Sequence, residues 1–297
     1  MKLSEGLEKF KDFGRIKYAQ RTVDTYTDLI QRFIKYNGDV SLKKVSPDDI
    51  IAYSDHLTRK NYADSSRAFM MISLRQYFQF LFMRRLVSWD YHLIPVNKYV
   101  SNSYKPVEQE VSQKMVDAYS IEDFISLRNK TIIAFLRSSG LRNSELCSLR
   151  VNDLTHFDDE EPYGNIISKK NHKRRMIFWD DQAHELLVKY LEQRKTWSHS
   201  DHLFVSVGAT ENPSKSIGKG MTTRSIQRIV EKVRPSEDVK PHGMRHGFGM
   251  ALTRSKAHLR YVQLMLGHLH IGSSQVYMDL YDGDVAEEYH RVFKKKT

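Results

Sequence analysis

His242-Gly243-Met244-Arg245-His246, then Leu266-Gly267-His268, then Tyr277 set imidazole, guanidinium, imidazole and phenol in one late stretch of the chain. That order suits attack by a tyrosine on a phosphodiester. A phosphate under attack needs fixed positive charge and hydrogen-bond donors around its non-bridging oxygens, with a nucleophile in line. His242 and Arg245 are spaced i and i+3, so on a helix they share a face and can both reach one phosphate. His246 points elsewhere on such a helix and is expected to make a structural hydrogen bond. His268 follows Gly267 after an apolar helical run through Tyr261, Val262, Leu264, Met265 and Leu266. There it either donates to the phosphate or simply caps the helix. A phenol of pKa ~10 is a poor nucleophile until a base or neighbouring cations favour its oxyanion. Tyr277 is one of 16 tyrosines, and only its position after His268 singles it out. Tyr281, one helical turn further on, is its rival.

Two earlier segments complete the chemistry. Arg142 lies in Ser139-Gly140-Leu141-Arg142-Asn143-Ser144-Glu145-Leu146. Gly140 is expected to end one helix, and Asn143 or Ser144 to cap the next. An arginine at such an entry presents its planar fork of donors to an oxyanion; the plain alternative is a surface arginine paired with Glu145. The run Lys169-Lys170-Asn171-His172-Lys173-Arg174 separates two short β-type segments, Asn165–Ser168 and Arg175–Trp179, and reads as a hairpin with a basic tip. When a tyrosine attacks phosphorus, the 5′ oxygen leaves and needs a proton. Lys170 can supply it as general acid, in competition with Lys169 and Lys173. Two of these three lysines are expected only to grip DNA backbone.

The elements that must position these groups are mostly helical. Tyr26, Leu29, Ile30, Phe33 and Ile34 follow one helical face, ended by Asn37-Gly38. Ser46, Pro47 and Asp49 have the types and order of a capped helix start. Asp64-Ser65-Ser66 opens a third helix with Met70, Leu74, Tyr77, Phe78 and Leu81 on one side. Residues 1–94 thus read as a small all-helical domain. Periodicity fades over residues 95–111, which read as a linker. Residues 112–297 form the second domain, α-rich with one small β-hairpin. Helices are expected over Ile121–Ser138, Gln182–Gln193, Thr223–Val233 and from His242 onward. Gly243, Gly247 and Gly249 are poor helix formers, so close approach to DNA or to another helix would explain them.

The chain of 297 residues carries 47 Lys and Arg against 36 Asp and Glu, a formal charge of +11. That excess favours a polyanion: DNA, RNA or an anionic membrane surface. The single cysteine, Cys147, excludes an intrachain disulfide and a thiolate metal cluster, and suits the cytoplasm. No apolar run is long enough to span a bilayer, and the first ten residues lack a signal-peptide core.

Taken together, Arg142, the hairpin lysine, His242-x-x-Arg245, Gly267-His268 and Tyr277 resemble the tyrosine recombinases, the integrase family that includes phage integrases and Xer-type recombinases. Gly140 to Leu146 is similar to the family's first arginine box, His242 to Phe248 to its second, and Leu266 through Tyr277 to its third. Lys170 to Arg175 resembles the hairpin in which the family's lysine precedes a Lys-x-Arg pair, although Lys169 and Asn171 replace the usual glycine neighbours. The resemblance implies a two-domain clamp on double-stranded DNA, with residues 1–94 as its DNA-binding, core-binding domain and residues 112–297 as its catalytic domain. In it, Tyr277 forms a 3′-phosphotyrosine and frees a 5′-hydroxyl. Arg142 and Arg245 neutralise charge on the phosphoryl oxygens, and His242 and His268 hold the phosphate and help move protons. No cofactor or metal is implied. The family's homotetramer on two sites is the expected assembly, with a monomer compatible with free solution. Val285, Tyr289, Val292 and Phe293 give the C-terminal stretch an apolar face that would dock on a neighbouring subunit or on its own domain. A type IB topoisomerase and a non-catalytic DNA-binding regulator on the same fold are the alternatives.

Overall fold

The computed structural model describes residues 1–96, 105–167, 174–207 and 218–268. Lys169, Lys170, Lys173, Tyr277, Tyr281 and the C-terminal apolar face lie outside the described residues. The chain divides into two compact units, Met1–Asn102 and Ser103–Thr297.

The first unit is built on four helices: α1 (Leu3–Lys17), α2 (Gln20–Asn37), α3 (Pro47–Arg59) and α4 (Asp64–Met83). Their shared core holds Phe10, Ile30, Phe33, Ile50, Leu74, Tyr77, Phe78 and Leu81. Burying a side chain of this size contributes about 1.5–3 kcal/mol, so each helix is held by one face rather than by propensity. The expected stops and starts are present. Gly38 takes a positive φ of 81° at the end of α2, and the Ser46 N–H donates to the Asp49 carboxylate at 2.8 Å. The buried Tyr77 hydroxyl donates to the Leu3 carbonyl at 2.7 Å, which satisfies the one polar atom that its ring carries inward.

In the second unit, α5 (Gln109–Asp117) precedes the long α6 (Phe124–Ser139). Sequence periodicity misses α5 because its buried side is only Ser112, Met115 and Val116. Helix α6 is the centre of the unit. Asp123 caps it by accepting from the N–H groups of Ile125 and Ser126, and Gly140 ends it in the left-handed conformation. Ile132, Ile133, Ala134, Phe135 and Leu136 are all fully buried, so α6 is enclosed on every side. Around it stand α7 (Asn143–Ser148), α8 (Asp181–Trp197), α9 (Thr223–Val233), α10 (Pro241–Arg254) and α11 (Leu259–Leu266). Strands β1 (Tyr163–Ile167) and β2 (Arg174–Phe178) pair antiparallel, with Tyr163 opposite Phe178 and Ile167 opposite Arg174. Ile166 and Ile177 face the core.

Two local expectations are corrected. Neither Asn143 nor Ser144 caps α7. Arg142 is the cap residue, because the Glu145 carboxylate accepts its backbone N–H at 2.8 Å. The Asn143 amide instead donates to the Thr223 carbonyl at 3.0 Å. Two of the three glycines of α10, Gly243 and Gly247, find the irregular segment 105–107 rather than a helix. A Cβ on Gly243 would stand 2.8 Å from the Lys105 carbonyl oxygen, and one on Gly247 would run into the Val107 backbone. The Val107 N–H donates to the Gly243 carbonyl at 2.9 Å, locking the two together.

Candidate active site

The turn after α6, strand β2, helix α10 and the end of helix α11 meet at one buried carboxylate. Glu145 has 4% of its side chain exposed. Its Oε1 accepts from Arg142 Nη1 at 2.8 Å. Its Oε2 accepts from the Arg142 backbone N–H and from Arg175 Nη2, both at 2.8 Å. Arg245 Nη1 lies 3.7 Å from the same oxygen. Glu145 therefore faces three guanidinium groups among the described residues, so these four side chains together carry more positive than negative charge. Burial alone would raise the Glu145 pKa. Arg175, the Arg142 N–H, the Arg142 charge and Arg245 outweigh it and hold the carboxyl below its ordinary range.

The end of α11 supplies a second negative pole. Gly267 turns left-handed with φ of 61° and ends the helix. Its last carbonyls lack intrahelical partners and carry the negative end of the helix dipole. Three consecutive carbonyls receive three different arginines. Arg175 Nη1 donates to Met265, Arg245 Nη2 to Leu266, and Arg142 Nη2 to Gly267 at 3.4 Å. Arg245 Nη1 also donates to the Gly140 carbonyl at 2.6 Å, which closes the turn that leads into Arg142. His268 follows directly, its N–H bonded to the Gln263 carbonyl at 3.0 Å.

Arg142, His242, Arg245 and His268 thus share one region, although they differ in access. Arg142 keeps 27% of its side chain exposed, against 2% for Arg245. Along the first turn of α10, His242 is exposed while Arg245 is enclosed. Arg245 is bonded to the Gly140 and Leu266 carbonyls, behind the more exposed His242. His246 meets His242 edge to face, with ring centroids 4.7 Å apart.

Desolvation, followed by the charges of His246, Arg245 and Arg142, lowers the His242 pKa to about 4. This holds even though part of the residue touches solvent, because the ring itself is largely desolvated and the neighbouring charges act in the same direction. Desolvation, then Arg245, Arg142, His246 and Arg175, lowers His268 to about 4 as well. Both imidazoles are neutral at pH 7, each with one N–H to donate and one lone pair to accept. An anion arriving here would meet fixed guanidinium charge and imidazole donors, and its own charge would favour protonating the rings.

Sequence reasoning missed the organising residues. Glu145 entered it only as a surface partner of Arg142, and Arg175 only as part of a hairpin pattern. No local spacing could have revealed either, since the contacts close over 30 residues for Glu145 to Arg175 and 90 for Arg175 to Met265. Among the described residues, no three His, Cys, Asp or Glu side chains are arranged to hold a metal ion. No helix among them is long and apolar enough to cross a membrane.

Residues 105–283 match the phage integrase family, and residues 13–85 match the phage integrase N-terminal SAM-like domain. The chain is 27% identical over 300 residues to the tyrosine recombinase XerD of Chlamydia pneumoniae, covering 95% of this chain and 93% of that protein. In fold it is similar to the Tn1549 transposon integrase in complex with transposon right end DNA. That match has a TM-score of 0.77 at 17% identity and covers 99% of this chain and 100% of the other. It is also similar to the XerH site-specific recombinase bound to its difH substrate, with a TM-score of 0.72 at 19% identity over 98% of this chain and 84% of the other. The chain belongs to the phage integrase family, with an N-terminal SAM-like domain ahead of the catalytic one.

Proposed function

We propose that the protein is a tyrosine site-specific recombinase that cleaves and rejoins double-stranded DNA strands through a 3′-phosphotyrosine intermediate. The observation that carries this reading is the cluster of Arg142, Arg175 and Arg245 around the single carboxylate of Glu145, flanked by His242 and His268. A site with surplus guanidinium charge and neutral imidazole donors suits an anion that gains charge in the transition state. Full-length similarity to a Xer recombinase supports the same reading.

In this reading Tyr277 attacks the scissile phosphorus. The new bond joins the phenolic oxygen to the phosphate, the bond to the 5′ oxygen breaks, and that oxygen takes a proton from Lys170. Arg142, the more open guanidinium, holds a non-bridging oxygen, while Arg245 adds fixed charge from behind. His242 and His268 donate hydrogen bonds to the phosphate oxygens, and one of these neutral imidazoles takes the proton that Tyr277 loses as it attacks. The phosphotyrosine conserves the energy of the phosphodiester, so a 5′-hydroxyl from a partner duplex reverses the step and exchanges strands. No cofactor enters this scheme. The active assembly is a homotetramer on two paired sites, working in the cytoplasm.

The test uses DNA sites selected by the protein from a random pool. A nicked duplex carrying such a site, whose short leaving strand diffuses away, should trap an SDS-resistant protein–DNA adduct with DNA joined through its 3′ end. No adduct would defeat the enzyme reading in favour of a DNA-binding regulator. Rapid relaxation of a supercoiled plasmid that lacks the site would favour a type IB topoisomerase instead.

A further inference from the structure

We propose that Arg175 is a positioning residue for strand cleavage, holding both the Glu145–Arg142 pair and the helix end that carries His268. The proposal rests on the reading that this cluster receives the scissile phosphate. Arg175 stands on β2, where its neighbours Arg174 and Met176 are exposed, yet only 8% of its own side chain is. Its fork is divided. Nη2 donates to Glu145 Oε2 at 2.8 Å, and Nη1 donates to the Met265 carbonyl. The first bond acts on Arg142, because Glu145 accepts from both the Arg142 side chain and its backbone N–H. The second acts on His268, because Met265 lies in the last turn of the helix that Gly267 ends.

Two further observations mark the site as built around this side chain. A Cβ on Gly267 would lie 2.8 Å from Arg175 Cδ and 2.9 Å from Nε, so the glycine leaves room for the arginine as well as for the left-handed turn. The Nε is buried with no hydrogen-bond partner among the described residues. A buried unpaired donor is unfavourable, and an apolar side chain would avoid it, so packing alone does not account for an arginine here. A lysine cannot replace it, since a single ammonium lacks the planar fork that reaches two acceptors in fixed directions.

The test compares Arg175→Lys and Arg175→Met with wild type. Three quantities are read: the single-turnover rate of adduct formation on the nicked duplex, the Kd for the same site, and the titration of the His268 imidazole by NMR in the DNA-free protein, assigned with His268→Gln. Both variants should cleave at least twentyfold more slowly with Kd within threefold of wild type. His268 should titrate at higher pH in Arg175→Met, which removes a nearby positive charge, than in Arg175→Lys, which keeps it. Should Arg175→Met fail to fold, Arg175→Lys still decides the rate question. A rate within twofold of wild type overturns the proposal, and so does a loss of rate matched by an equal loss of affinity. The NMR titration needs no DNA. If wild type forms no adduct, the recombinase reading fails by that result alone, while an unshifted His268 in folded Arg175→Met refutes the link between Arg175 and His268.

Discussion

Replacing Glu145 by glutamine probes the cluster at its centre. The substitution keeps the shape and removes the charge. The carboxylate now accepts from two guanidinium nitrogens and one backbone N–H, all of them donors. Glutamine offers one oxygen, and its amide nitrogen points a donor at donors. It also removes the carboxylate that Arg142, Arg175 and Arg245 share. Removing one partner from a buried ion pair typically costs about 3–5 kcal/mol. In a unit of this size each kcal/mol moves Tm by about 2–4 °C, so the expected fall is on the order of 10 °C at pH 7. The assay is thermal unfolding of the full chain, followed by circular dichroism through the transition of the second unit. The pH dependence has a definite sign. Glu145 is held below its ordinary pKa of 4.5, so its contribution is complete above that value and lost as pH falls through the folded one. The gap between wild type and Glu145→Gln should stay constant from pH 8 to about 5 and narrow below about 4.5. A gap under about 2 °C at pH 7, less than a kcal/mol, would mean that the three arginines do not depend on this anion.

Other expectations follow from the same geometry. His242 and His268 have folded pKa values near 4 against an ordinary 6.5, so the unfolded chain binds more protons between those values, and stability should fall as pH drops from about 6.5 towards 4. Binding of cognate DNA should in turn take up protons near pH 6.5, seen by calorimetry in buffers of different ionisation enthalpy; identical heats in all buffers would speak against imidazoles at the phosphate. Gly247→Ala should lower the Tm of the second unit by several degrees, because the new methyl meets Val107 backbone; an unchanged Tm would show that the 105–107 segment yields easily. Lys170→Ala should cleave a 5′-phosphorothiolate substrate at nearly the wild-type rate, since that leaving group needs no general acid. Rescue of Lys169→Ala alone would move the role by one residue.

Most elements were legible from the chain because their causes are local. The apolar faces of α2 and α4, the Ser46–Asp49 start and the stops at Gly38, Gly140 and Gly267 all follow from periodicity and turn chemistry within a few residues. Strands β1 and β2 were recognised with their ends displaced by one or two residues. Arg142, His242, Arg245 and His268 were recognisable as types in an order, and the fold brings them to one place. What joins them was not legible. Glu145 lies three residues from Arg142, a spacing shared by countless surface pairs, and its burial depends on β2 and α10 closing over it. Arg245 reaches Gly140 across 105 residues of sequence. The capping of the α11 carbonyls by three arginines has no signature in one dimension, because each donor comes from a different element. Gly243 and Gly247 were recognised as a close-approach surface, but their partner, the irregular run from Lys105 to Val107, carries no periodic pattern.

Peptide mapping of the trapped adduct tests the central claim most directly. After nuclease trimming and proteolysis, mass spectrometry should find the residual nucleotide on the peptide containing Tyr277, with Tyr277→Phe giving no adduct and nearly normal DNA affinity. A nucleotide on Tyr281, or an adduct that persists in Tyr277→Phe, would contradict the account and remove Tyr277 from the site that Arg142, Arg245, His242 and His268 are proposed to form.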